Sequence, residues 1–170
     1  MEEAWLSGRI EGVSPILMPA AHALVQAARD IEKVVADLPG EELWTKPNGA
    51  ASVGFHLLHV AGSVDRLLTY ARGENLNAAQ FAVLAAENEI HQTENPETLA
   101  RKAIESIENA ILEIKRTPVE NLFEERTVGR KRLPTNVFGL LFHIAEHTQR
   151  HVGQIITTAK IVRAGHDLSE

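Results

Sequence analysis

The chain has 170 residues, with 17 Lys and Arg against 23 Asp and Glu, eight histidines, no cysteine and a formal charge of −6. Disulfide frameworks, zinc ribbons, cysteine nucleophiles and thioredoxin-type redox pairs are excluded, because each needs a thiol. A general grip on phosphate backbones takes clustered Lys and Arg, so no nucleic-acid partner is expected, and the length and 44% hydrophobic content predict one soluble domain over residues 1–170.

Taken from the start, Met1-Glu2-Glu3-Ala4 carries no basic leader pattern, and the apolar stretch from Ile16 to Ala28 is broken by Pro19 and His22 and is too short to span a bilayer. A cytoplasmic protein without a membrane segment is the expectation. From about Pro19 to Leu38, apolar residues recur at three and four spacing (Leu24, Ala27, Ala28, Ile31, Val34, Val35, Leu38) and stop at Pro39-Gly40, which predicts an amphipathic helix. A polar connector with Pro47-Asn48-Gly49 follows. Ser52 is placed to cap a second helix that runs to about Ala71 and closes at Arg72-Gly73. Asn77 to Ile90 can form a shorter helix. A third long helix spans Thr98 to Lys115, between Pro96 and Pro118, with Leu99, Ala103, Ile107, Ala110, Ile111 and Ile114 on one face.

Asn121 to Pro134 is polar and basic, with a turn expected at Val128-Gly129, and no strand shows convincing alternation. Thr135 then opens a fourth long helix that reaches Val162, before Gly165. The predicted fold is therefore all-α, an antiparallel four-helix bundle with a short extra helix and a polar loop before the last helix.

The histidines are unevenly placed: His56 and His59 fall on the second helix, and His143, His147 and His151 on the fourth. Eight histidines scattered at random would give about 0.3 pairs at spacing four, yet two occur in succession here. Residues four apart on a helix differ by about 40° in azimuth and about 6 Å in rise, so His147 and His151 project from one face and can bind one cation. With Ile144 as the zero of the helical wheel, His151 falls near about −20°, His147 near about −60° and His143 near about −100°. Two of them point inward and His143 lies at the edge. Burying both inward rings unpartnered would cost about 1–3 kcal/mol for each unmade hydrogen bond, whereas a shared metal satisfies both lone pairs. A bundle site draws ligands from more than one helix, and the second helix supplies the next histidines. There the wheel sets His56 nearer the apolar centre (Val53, Val60, Val64, Leu67, Ala71), while a site offset from the core axis would suit His59. Spacing leaves both open.

The segment Ser52-Val53-Gly54-Phe55-His56-Leu57-Leu58-His59-Val60-Ala61, followed by His147-Thr148-Gln149-Arg150-His151-Val152-Gly153-Gln154-Ile155, resembles the DinB/YfiT-like superfamily over nearly the whole chain. The H-x3-H-x2-Q-I arrangement is the more specific of the two motifs. The resemblance implies a four-helix bundle with a three-histidine metal site, one ligand coming from the later histidine of a W/F-x-L-x-H pattern and two from the last helix. Carried over, the ligands are His59, His147 and His151. His56, His143 and Gln154 then become neighbouring or cavity residues. The resemblance also implies a homodimer and a reaction on a small molecule, because members include isomerases and transferases that use a low-molecular-weight thiol, and proteins classed as metal-dependent hydrolases.

Three histidines leave coordination positions open, and imidazole suits zinc, nickel, iron or copper. A divalent ion on neutral ligands lowers the pKa of a bound water or thiol and polarises a carbonyl. Because the chain has no cysteine, any thiolate must arrive with a cosubstrate. Hydrolysis needs a general base, for which Asp65, Glu146 and Gln154 are the local candidates; Glu146 lies on the outer side of its helix, Asp65 is expected to pair with Arg66, Arg72 or solvent, and Gln154, beside His147 and His151 on the wheel, better suits a hydrogen-bonding neighbour of the ligands. Arg126, Arg130, Lys131 and Arg132 could receive a cosubstrate anion, although a solvated turn explains them as well. Trp5 and Trp44 are expected to serve packing more than the site mouth.

Overall fold

Apolar periodicity and end signals account for the four long helices of a computed structural model that describes residues 2–90 and 93–167. Helix α1 spans Met18–Val35, with Pro19 in its first turn, where a missing N–H costs nothing. Helix α2 spans Val53–Ala71, capped by Ser52 Oγ, which accepts from the Phe55 N–H at 3.2 Å. A short helix α3 covers Ala78–Ala86; the Asn77 side chain accepts from the Gln80 N–H, and the Gln80 side chain answers to the Asn77 N–H. It ends at Ala86, short of the expected end at Ile90. Helix α4 spans Pro96–Arg116, begun two residues before Thr98 by Asn95, whose side chain accepts from the Thr98 N–H at 2.8 Å. Helix α5 runs from Val137 to Asp167, past Gly165.

One element differs in kind from expectation. Residues Glu125–Val128 (β1) and Leu133–Asn136 (β2) pair as an antiparallel hairpin, Glu125 opposite Asn136 and Val128 opposite Leu133. Thr135 therefore lies in β2, and α5 opens at Val137, with Asn136 Oδ1 accepting from the Gly139 N–H at 2.7 Å. The turn expected at Val128-Gly129 is present, with Gly129 at φ +70°. Four-residue strands are too short to show alternation, and Pro134 is tolerated because each strand of a two-stranded ribbon is an edge.

Around the bundle, α1 and α2 each pack against both α4 and α5, so the consecutive helices α1 and α2 face each other across a diagonal. Paired contacts give the directions. His59 meets His147 and His56 meets His151, so α2 and α5 are antiparallel. Gln149 donates to the Ala23 carbonyl and Arg163 reaches Asp37, so α1 and α5 run the same way. The physical reason is the connector from Arg72 to Asn95, which carries α3 back along α2 through Gln80 at Thr69 and Glu87 at Arg66 before α4 begins. The shared core is that of the wheels: Leu24, Ile31, Val60, Val64, Leu99, Ile107, Ile144 and Ile155 are buried. No helix among the described residues is long and apolar enough to cross a membrane.

Candidate metal centre

The second turn of α2 and the middle of α5 cross where both helices carry histidines. His59, His147 and His151 each offer one nitrogen, and these three atoms lie within 4.8 Å of one another. His59 Nε2 stands 3.0 Å from His147 Nε2, and the His151 ring centroid is 4.4 Å from that of His59 and 4.5 Å from that of His147. Two imidazole nitrogens facing each other at that distance need a proton or a cation to bridge their lone pairs. Nitrogens about 2.0–2.1 Å from a common tetrahedral ion stand about 3.4 Å apart, so the donor set fits a transition-metal ion.

His56 lies beside these three. It is buried, and its Nδ1 is 2.9 Å from His151 Nδ1, which leaves His151 Nε2 for the cluster. On its other side His56 borders a cleft of about 500 Å³ between the 47–51 loop and α5, where Arg150, Gln154 and Ile161 form part of the wall. His143 is at the edge, as its azimuth implies: it is exposed, with Nδ1 2.6 Å from Glu146 Oε1. Gln154 is exposed and reaches the cleft rather than the three histidines.

Electrostatics favour free lone pairs. Burial, and then the nearby His59, hold the imidazole of His56 down at about 4. Burial and His59, followed by His143, put His147 at about 4, and burial with His59 and His147 puts His151 at about 3. All three rings are neutral at pH 7, the form that ligates metal.

The candidate bases are otherwise engaged. Glu146 accepts two hydrogen bonds from Arg150, at 2.6 and 2.9 Å, and these chiefly hold its carboxyl below the usual range. Asp65 accepts from Gln80 Nε2 at 2.7 Å rather than pairing with Arg66 or Arg72, because α3 lies over that part of α2. The basic turn is remote: Arg126 Nε donates to the Ala71 carbonyl, twelve residues or about 18 Å along α2 from His59. Arg130 stands over the Phe81 ring. Trp44 packs on Gly54, where any Cβ would come within 2.6 Å of the indole, and Trp5 is exposed.

One neighbour of the cluster has no signature in the sequence. Glu87, just beyond α3, is buried and sits with Oε2 2.8 Å from His59 Nδ1, while its Oε1 accepts from Arg66 at 2.6 Å. An acid after an apolar run reads as a surface residue, and only the return of the connector along α2 brings it to the site.

The family model for the DinB superfamily matches residues 23–155. The fold is similar to that of YfiT from Bacillus subtilis, described as a probable metal-dependent hydrolase with an unusual four-helix bundle topology, at TM-score 0.67 and 13% identity over 97% of this chain and 99% of that one. A protein from Streptococcus pneumoniae matches at TM-score 0.64 and 13% identity, over 85% and 88%. A DinB-like protein from Bacillus cereus matches at TM-score 0.62 and 14% identity, over 86% and 91%. No curated protein sequence matches significantly.

Proposed function

The chain belongs to the DinB superfamily, and from that premise we propose that it is a metal-dependent enzyme acting on a small molecule, with His59, His147 and His151 as ligands of one divalent transition ion, zinc, nickel or iron. The observation that carries this reading is the convergence of three imidazole nitrogens within 4.8 Å. When bound, such an ion supplies Lewis acidity, lowering the pKa of a coordinated thiol or water and polarising a carbonyl. The chain's own residues hold the rings of His147 and His151 neutral, orient the ligand rings and shape the cleft. His56 sets the direction of His151 and closes one side of the cleft, and Arg150 and Gln154 present polar groups to a substrate there.

Between the two reaction classes, transfer of a low-molecular-weight thiol is favoured over hydrolysis. Glu146 is tied to Arg150 and His143, Asp65 to Gln80, and Glu87 to His59 and Arg66, so each of these carboxylates is committed. A thiol starts far more acidic than water, so with a bound ion it would release its proton to solvent without such a base, and a chain without cysteine must receive its sulfur from outside. Hydrolysis, which the description of YfiT favours, is the second reading. The same reading includes a homodimer.

The untagged protein is expected to carry about one metal ion per chain, by elemental analysis, and His147→Ala to lose it; metal-free wild-type protein would refute the site. The loaded protein is then given model electrophiles with a panel of cellular thiols, and ester and amide substrates. Turnover with a thiol alone supports transfer, and turnover of an ester or amide without thiol supports hydrolysis. Metal without turnover in either panel supports a non-catalytic metal- or ligand-binding bundle instead.

A further inference from the structure

Building on the reading of the histidine cluster as a metal site, we propose that Glu87 is the positioning residue for His59: backed by Arg66, its carboxylate holds the ring with the proton on Nδ1 and the Nε2 lone pair turned to the cluster. An ionised carboxylate only accepts hydrogen bonds, so the hydrogen in the 2.8 Å contact belongs to His59 Nδ1. In the neutral ring the lone pair is then on Nε2, the atom that faces His147. Carboxylates so placed fix the tautomer and raise the basicity of a metal-binding imidazole.

Several features of the chain serve this contact. Gly62 lies on α2 between His59 and Arg66, and a Cβ there would overlap both the Glu87 carboxylate and the Arg66 guanidinium. The second carboxylate oxygen is held by Arg66, whose side chain is itself 10% exposed, against 3% for Glu87. Farther along α2, Gln80 donates to Asp65 Oδ2 at 2.7 Å and to Thr69 Oγ1 at 2.8 Å, which seats the start of α3. Phe55 stacks on the His59 ring at 5.6 Å and 16°, limiting its rotation. The apolar side chains Phe81, Val83 and Leu84 of α3 are exposed. The α3 segment is thus docked through Gln80 and Glu87, and its most buried acidic group is the one delivered to His59.

Nitrogen NMR of histidine-labelled, metal-free protein at pH 8 reads the tautomer directly. His59 is expected to be protonated on Nδ1 in the wild type, and to become a mixture in Glu87→Ala. Titration with zinc alone should show the dissociation constant rising about 10–100-fold in Glu87→Ala, and by less in Glu87→Gln, whose amide oxygen still accepts from Nδ1. Should Glu87→Ala fail to fold, the wild-type tautomer and Glu87→Gln decide. A wild-type His59 protonated on Nε2, or unchanged zinc affinity in both variants, overturns the proposal. A wild type with the expected tautomer that binds no zinc, nickel or iron(II) refutes the metal site and leaves the positioning of His59 by Glu87 standing.

Discussion

His56, His147 and His151 stand where burial and neighbouring imidazoles disfavour a positive charge, at about 4, 4 and 3 in the folded protein. An unfolded chain protonates its histidines near about 6.5. Above that value both states are neutral; below it the unfolded chain takes up protons that the folded sites refuse until about pH 4 or 3, so stability present above about pH 6.5 is lost progressively on acidification. The urea midpoint of metal-free protein should fall between pH 7.5 and pH 5, and fall less in His56→Ala; an unchanged midpoint would contradict the burial argument. At the same scale, Gly54 is required by the Trp44 ring. Gly54→Ala should cost about 1–3 kcal/mol through overpacking, measured by denaturant unfolding. His147 and His151 were legible as a pair because helical spacing alone puts them on one face. His56 and His59 were not separable that way, because their difference lies in what α5 and Glu87 bring to each ring.

The caps of α2, α3 and α4 follow from local residues, Ser52, Asn77 and Asn95, each accepting from the backbone three positions on. In α5, by contrast, Gly153 has open space where a Cβ would go. Gly153→Ala should therefore stabilise the protein by about 0.5–1 kcal/mol, because a helical glycine loses more backbone freedom on folding than alanine does. A rise in melting temperature checks this, and a fall would show that the open space is needed. The hairpin escaped the periodicity because its strands have only four residues each and are held by pairing rather than by a buried face. Helix α3 is held differently again: Phe81, Val83 and Leu84 face outward and its anchors are polar.

At the scale of the whole molecule, Phe81, Val83 and Leu84 on α3 and Phe142 on α5 are among the exposed large apolar side chains that the proposed homodimer would have to cover. Sedimentation should give twice the mass of the 18.7 kDa chain, and a monomer at micromolar concentration would refute it. The order of helices around the bundle has no trace in their periodicity, since an apolar stripe states that a face is buried and not against which neighbour. The four long helices, their inner faces and the alignment of His147 with His151 are legible in the chain alone, because all of these repeat within a few residues of one segment. The resemblance of the two motifs points to His59, but the folded chain alone sets it beside His147 and His151, turns His56 to His151, and puts Glu87 and Arg66 behind His59. Those contacts join residues tens of positions apart: the histidines meet because α2 packs on α5, and Glu87 arrives because the connector through α3 returns along α2, with Gly62 leaving room for the carboxylate.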